Sequence, residues 1–202
     1  MKFKQNLKKF WHFVWEDDSL LSWIVNIILA FVLIKFIIFP VLGFILGSEF
    51  PLVAVVSSSM DHDAKFDIWW NSSAACGSFI CKQSDYYKQF GITKEQFKTF
   101  PFKNGFSKGE VMVLTSPKNL ELGDVIVFIS KEGKPIIHRV ISLNPLETKG
   151  DKNPAQIQTE FLNEKNVGQY TLIGKASLRI PFIGYVKIVF VWILSLFGLQ
   201  VA

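Results

Sequence analysis

The chain has few of the residues that most often carry enzyme chemistry: among its 202 residues are two cysteines and three histidines. Cys76 and Cys81 have no Cys-His context that would make either a nucleophile, and both fall in a segment expected outside the cytoplasm, where a disulfide is permitted. Acidic residues are absent until Glu16, and residues 20–39 carry a single charge, Lys35. Internal repeats and low-complexity tracts are missing. So is any aromatic-basic nucleic-acid motif, and the net charge of +5 therefore suits anionic lipid headgroups better than nucleic acid.

What is present in excess is apolar surface. Half of the residues are hydrophobic, and they concentrate at the two ends. Twenty helical residues rising about 1.5 Å each cross a bilayer core of about 30 Å. "LLSWIVNIILAFVLIKFIIF", residues 20–39, therefore predicts a transmembrane helix within a segment running from residue 19 to residue 46. The alternative, a cleaved signal peptide, needs a small-residue cleavage site, whereas Phe39, Pro40, Val41 and Leu42 follow.

Before this run, Lys2, Lys4, Lys8 and Lys9 place the N-terminus in the cytoplasm by the positive-inside rule and the following chain outside. Phe3, Leu7, Phe10, Trp11 and Val14 recur at helical spacing, so residues 1–18 read as an amphipathic leader on the inner leaflet. "PFIGYVKIVFVWILSLFGLQVA", residues 181–202, predicts a second span. Lys35 and Lys187 would then sit near the outer interface, where lysine stems snorkel.

The middle is strand-like. "PLVAVV", "EVMVLTSP", "LGDVIVFIS", "KPIIHRVISLNP" and "YTLIGKASLRIP" are short β-branched runs bounded by turn residues, with a hairpin turn at "KEGK" and a last strand pair in the final run. Residues 61–108 differ, being polar and aromatic with a short helix near 93–99 capped by Thr93, and read as an insertion. The expected fold is a mainly antiparallel β domain, residues 47–60 and 109–180, flanked by N- and C-terminal transmembrane helices. Phe66, Trp69 and Trp70 in the insertion either dip into the outer leaflet or pack on the domain.

Serine needs a base to take its proton and donors for the oxyanion. "VVSSSMDHD" supplies three serines at a strand end. His12 lies in the basic leader, and His62 is a close sequence neighbour of Ser59 that points elsewhere or joins Asp61 and Asp63 as a ligand. A metal there is disfavoured, because alternating residues put the two aspartates on one face and His62 on the other. His138 stands in an apolar strand, where a lone histidine is more often structural than catalytic.

The joint pattern decides between these. A membrane span, a strand, Ser57-Ser58-Ser59-Met60, "GDVIVF" at 123–128, "HRVI" at 138–141, "TKGDKN" at 148–153 and "PFIGYV" at 181–186 follow in the order found in type I signal peptidases, which this chain resembles over roughly residues 20–60 and 109–187. The resemblance implies a membrane-bound serine endopeptidase that removes signal peptides from secreted preproteins, with Ser59 as nucleophile and the Ser57 hydroxyl and Ser59 N–H as oxyanion donors. Bacterial members place a lysine before "RVI"; archaeal and endoplasmic-reticulum members place a histidine, here His138. An imidazole of ordinary pKa, about 6.5, is mostly neutral near pH 7 without the desolvation a lysine base requires. Lys35, Lys131 and Lys134 are weaker alternatives for a Ser-Lys pair.

The acid implied beside His138 is Asp151 of "KGD". The eukaryotic members carry a further aspartate about six residues on, where this chain has Gln156, Ile157 and Gln158, which leaves Glu160 as the alternative acid. Ser58 also stands where the family has glycine, and Asp124 reads as a turn cap. No cofactor or metal is implied. Expected partners are secretory preproteins, the lipid bilayer and the secretion translocon, at a multi-pass cell-membrane location of archaeal type in preference to the endoplasmic reticulum. Two rivals remain: a tethered, non-enzymatic β domain that binds a partner through the insertion, and a related serine peptidase with another substrate.

Overall fold

The computed structural model describes residues 2–183 together with 185 and 192. It consists of two units, Met1–Ile45 and Leu46–Ala202.

The first unit is helical. α1 spans Lys2–Glu16 and α2 spans Leu20–Leu46. Ser19 caps α2 by accepting from the Ser22 N–H. The two uncharged polar side chains within the apolar helix reach α1: Ser22 Oγ donates to Phe13 O (2.6 Å) and Asn26 Nδ2 to Val14 O (2.9 Å), satisfying carbonyls that a helix end leaves without partners. At Ile34–Ile38 the helix widens into a π turn, with the Phe39 N–H reaching back to Ile34 O. Pro40 follows without an N–H to donate, which favours such a local rearrangement. α2 is long and apolar enough to cross a membrane. The second span expected at 181–202 lies outside the described residues, apart from 181–183, 185 and 192.

The second unit is mainly antiparallel β. Its strands are β1 (Leu52–Ala54), β2 (Ser73–Cys76), β3 (Phe79–Lys82), β4 (Val111–Thr115), β5 (Val125–Ile129), β6 (Pro135–Leu143), β7 (Leu146–Lys149) and β8 (Thr171–Ile180). Six of them form one sheet in the order β1-β4-β8-β5-β6-β7. The last run was expected to give a strand pair and instead gives one strand. β8 pairs with β5 through its first half and β4 through its second, with register shifts opposite Val127/Phe128 and Val113/Leu114. Irregularities of this kind let a single strand bend and serve two neighbours.

Val55, Met60, Met112, Leu114, Val127 and Ile173 belong to the buried core that the sheet curls around. The curl brings the chain after β1 against the chain after β7: the Lys152 N–H donates to Ser59 O (2.8 Å), and the Asp151 N–H contacts Met60 Sδ (3.4 Å).

Residues 61–108 contribute no strand to this sheet. They form α3 (Phe66–Trp70), the β2–β3 ribbon, α4 (Gln83–Lys88) and α5 (Lys94–Phe97), the last capped by Thr93. Trp69, Trp70, Tyr87, Phe97 and Phe100 pack together with Ile141 of β6. Of the two placements open for Trp69 and Trp70, both side chains take the one inside the protein. Cys76 and Cys81 are joined by a disulfide.

Candidate active site

β1 delivers the chain to a tight turn. Val55 is buried, residues 56–58 are exposed and Ser59 is half-buried. The Asp61 N–H donates to Ser58 O (3.0 Å), and Met60, fully buried, anchors the turn while its carbonyl accepts from Phe106. The non-glycine residues with positive φ are Asp63, Phe102, Asn119 and Phe182. Ser58 therefore holds its place without a conformation reserved for glycine. The hydroxyls of Ser57 and Ser59 lie 3.1 Å apart.

His138 comes from β6, opposite Ile126 of β5. Its Nδ1 lies 2.5 Å from Glu164 Oε1, and the two side chains are 4% and 0% exposed. The carboxylate accepts, so Nδ1 donates, and in the neutral ring Nε2 then carries the lone pair. Glu164 is held on every side: Oε1 also accepts from Thr148 Oγ1 (3.0 Å), Oε2 from the Ile157 N–H (2.7 Å), and its carbonyl from the Thr148 N–H.

The free nitrogen of His138 faces Gly150. A methyl group on Gly150 would lie 2.8 Å from His138 Nε2 and 2.9 Å from Ser59 O. Imidazole and serine backbone thus border one narrow gap, occupied by Gly150, that admits no side chain. Ser59 Oγ is turned to Ser57, and no hydrogen bond joins it to His138. Serine and base commonly tighten their contact only when substrate arrives.

The carboxylate on His138 is neither of the two expected. Glu160 is exposed. Asp151 is fully buried but committed to Arg139, receiving Nε (2.9 Å) and an Nη atom (2.7 Å) of its guanidinium, the Tyr87 hydroxyl (2.9 Å) and His62 Nε2 (3.0 Å). Burial alone would raise the Asp151 carboxyl; the charge of Arg139 and hydrogen bonds from His62 and Arg139 outweigh it and hold the pKa well below the usual carboxylate range. Arg139 also caps Pro101 O, Gly123 O and Phe102 O. Asp151 therefore ties β6, the loop after β7 and residues 61–108 together behind the gap.

Lys149 extends this cluster. Its buried ammonium donates to Gln83 Oε1 (2.9 Å) and to the carbonyls of Gly150 and Asp151. Burial lowers its pKa to about 7, against the opposing pull of Asp151 and Glu164. His62 stacks on Trp69 with ring centroids 3.7 Å apart, and its buried Nδ1 has no partner. The "DHD" residues have separate fates. Asp61 accepts from the Asp63 N–H, Asp63 pairs with Lys152 and His62 turns inward. Among the described residues no group of three or more His, Cys, Asp and Glu side chains could hold a metal. Asp124 caps the turn into β5 by accepting from the Glu121 N–H (2.8 Å) and pairs with Lys175.

Glu164 was not singled out in the sequence, although a signal existed. Residues two apart in extended chain face the same side, and Leu162 and Glu164 flank Asn163, which bridges to Gln158. An acid two positions from a core leucine is placed to point inward.

No family model matches the chain. It is 32% identical over 97 residues to the Signal peptidase complex catalytic subunit SEC11 of Candida tropicalis, an alignment covering 41% of this chain. The chain thus spans 56% of that relative's length. With the ordered motifs around Ser59 and His138, this similarity relates the chain to the type I signal peptidases.

Proposed function

We propose that the protein is a membrane-anchored serine endopeptidase that removes signal peptides from secreted preproteins, with Ser59 as nucleophile, His138 as general base and Glu164 as the acid that orients His138. The observation that carries this reading is the pairing of a buried His138–Glu164 couple with a gap shared by His138 Nε2 and Ser59.

An extended substrate segment adds to exposed backbone. β1 is a sheet edge, and the first residues of β6, 135–138, have β5 on one side but lie beyond the reach of β7 on the other. Main-chain hydrogen bonds to these two edges would fix an extended strand beside Ser59, while shallow apolar pockets select small side chains.

Ser59 Oγ attacks the scissile carbonyl carbon as its proton passes to His138 Nε2. Glu164, already bonded to Nδ1, stabilises the imidazolium that forms. The negative oxygen accepts from the Ser59 N–H and the Ser57 hydroxyl, each such donor being worth on the order of 2.7 to 4 kcal/mol in the transition state. Collapse breaks the peptide bond, and His138 gives its proton to the departing amine of the mature protein. Water then attacks the acyl-enzyme, losing its proton to Nε2, which returns it to Ser59 Oγ as the acyl bond breaks, and the signal peptide leaves with a free carboxylate.

α2 would anchor the enzyme, and the lysine bias of the leader supports a catalytic unit outside the cytoplasm, where cleavage sites emerge. Full-length protein in detergent with a model preprotein tests the assignment. The parent should cleave at one site, and Ser59→Ala and His138→Ala should each lose at least roughly a thousandfold in rate. Variants that cleave as fast as the parent would overturn it. A parent that cuts nothing yet retains a partner protein would favour a binding domain.

A further inference from the structure

The β2–β3 ribbon ends in a two-residue turn, Gly77-Ser78, with Cys76 opposite Phe79 and Ala75 opposite Ile80. Neighbouring strand residues point to opposite faces, so Phe79 and Ile80 leave the ribbon on opposite sides. Both project into solvent, at 66% and 83% exposure. The first strand of the ribbon is fixed as far as the turn, with Ala74 and Cys76 buried and the Ala75 N–H donating to Pro154 O (2.9 Å). A ribbon this short is not stable alone; here the Cys76–Cys81 disulfide clamps it immediately behind the tip.

We infer that this tip, residues 77–80, inserts into the boundary between lipid headgroups and acyl chains, giving the catalytic unit a membrane contact besides its helical anchor. Two apolar side chains on opposite faces cannot both be covered by one flat protein surface. An enclosing apolar medium covers both at once. No charge lies between Cys76 and Cys81, and the first beyond them, Lys82, is exposed on the ribbon where an ammonium would meet anionic headgroups. The depth is shallow, because unpaired backbone groups at a hairpin turn are tolerated among headgroups but not in the hydrocarbon core. Lipid is the favoured occupant because the second unit begins at Leu46, the residue at which α2 ends, so the chain tethers it to any bilayer that α2 crosses.

The inference rests on reading α2 as a span, and the test separates the two. Full-length protein carrying a benzophenone amino acid at position 80 is reconstituted into phosphatidylcholine/phosphatidylglycerol vesicles, washed with alkaline carbonate and irradiated. Retention in the vesicles with a lipid adduct at position 80, and little adduct at position 132 in the polar β5–β6 turn, is the expected result. Extraction by carbonate would overturn the span reading. Retention without a lipid adduct at position 80, or with a protein adduct instead, would overturn the tip alone.

Function supplies an independent readout. Phe79→Asp/Ile80→Asp should slow cleavage of a vesicle-inserted preprotein at least fivefold through KM, while turnover of a detergent-soluble peptide stays within twofold. Equal rates on both substrates for parent and variant would overturn the inference.

Discussion

His138 and His62 are both buried with one ring nitrogen on a buried carboxylate, yet their other nitrogens meet different surroundings. His138 Nε2 borders the gap at Ser59, whereas His62 Nδ1 is sealed without a partner while its ring stacks on Trp69. Their carboxylates differ in the same sense. Glu164 gathers only neutral donors besides His138, while Asp151 faces the full charge of Arg139. On the proposed mechanism, burial and a carboxylate are thus not enough to make a histidine a base. What counts is whether the nitrogen left over opens onto a nucleophile, and whether the carboxylate is free to respond when the ring gains a proton.

The largest separation between the two sites should appear in rate. Glu164→Gln keeps the shape of the side chain but removes the charge that stabilises imidazolium, so kcat on a model preprotein should fall roughly a thousandfold or more at little-changed KM. Asp151→Asn should change the kcat of the folded enzyme less than about tenfold. Equal losses of kcat in the two variants would dissolve the distinction.

Stability should rank them the other way. Removing one partner of a buried ion pair leaves a bare charge and typically costs about 3–5 kcal/mol. Asp151→Asn should pay most of that in denaturant unfolding, because Arg139 is left with only carbonyls. Glu164→Gln should lose about 1–2 kcal/mol. The double change Arg139→Met/Asp151→Leu should recover much of the loss, since no buried charge then remains.

Two glycines sharpen the comparison by smaller steps. At Gly150 a methyl group would press on His138 Nε2 and Ser59 O; at Gly105, where φ is +68°, it would meet Met60 O at 2.4 Å and His62 Cδ2 at 2.6 Å. Misplacing catalytic atoms by about 1 Å costs on the order of a hundredfold in rate. Gly150→Ala should show such a loss in kcat, and Gly105→Ala should show its damage chiefly as a lowered unfolding midpoint. A Gly150→Ala enzyme with parental kcat would argue that the gap is not the reaction site.

Much of the β framework was legible because β-branched runs such as Val125–Ile129 end at Gly, Pro and Asn turns. The proposed base, His138, stands out in the sequence only through the order of motifs, since a lone histidine in an apolar strand carries no label. The acid was not legible in the same way. Asp151 has the motif position, but the register that sets Arg139 opposite Lys149 puts its carboxylate within reach of Arg139. Glu164 reaches His138 from a bridged loop 26 residues later, a pairing made by tertiary folding rather than by spacing. His62 turns away from Ser59, as its closeness in sequence suggested, but its partner was not legible for a related reason. Its neighbours in sequence, Asp61 and Asp63, are not its partners, and Asp151, 89 positions away, is.

The most gradual effect is one of pH, and it again contrasts two buried charges. Asp151 has a pKa held below that of an unfolded aspartate, so folding favours its ionised form; the stability it contributes is present at neutral pH and lost as the solution is acidified through its folded pKa. Lys149 works in the opposite sense, with a pKa lowered by burial to about 7 from 10.5. Between those values the unfolded chain holds a proton that the folded chain has released, so stability should rise with pH across this window, with a slope of at most about 1.4 kcal/mol per pH unit. Lys149→Met should flatten the rise between pH 7 and 10 in urea unfolding, and Asp151→Asn should flatten the loss below pH 4. A parent whose stability is level from pH 7 to 10, or a Lys149→Met variant that keeps the slope, would assign the proton to another group and leave Lys149 charged beneath the Gly150 loop.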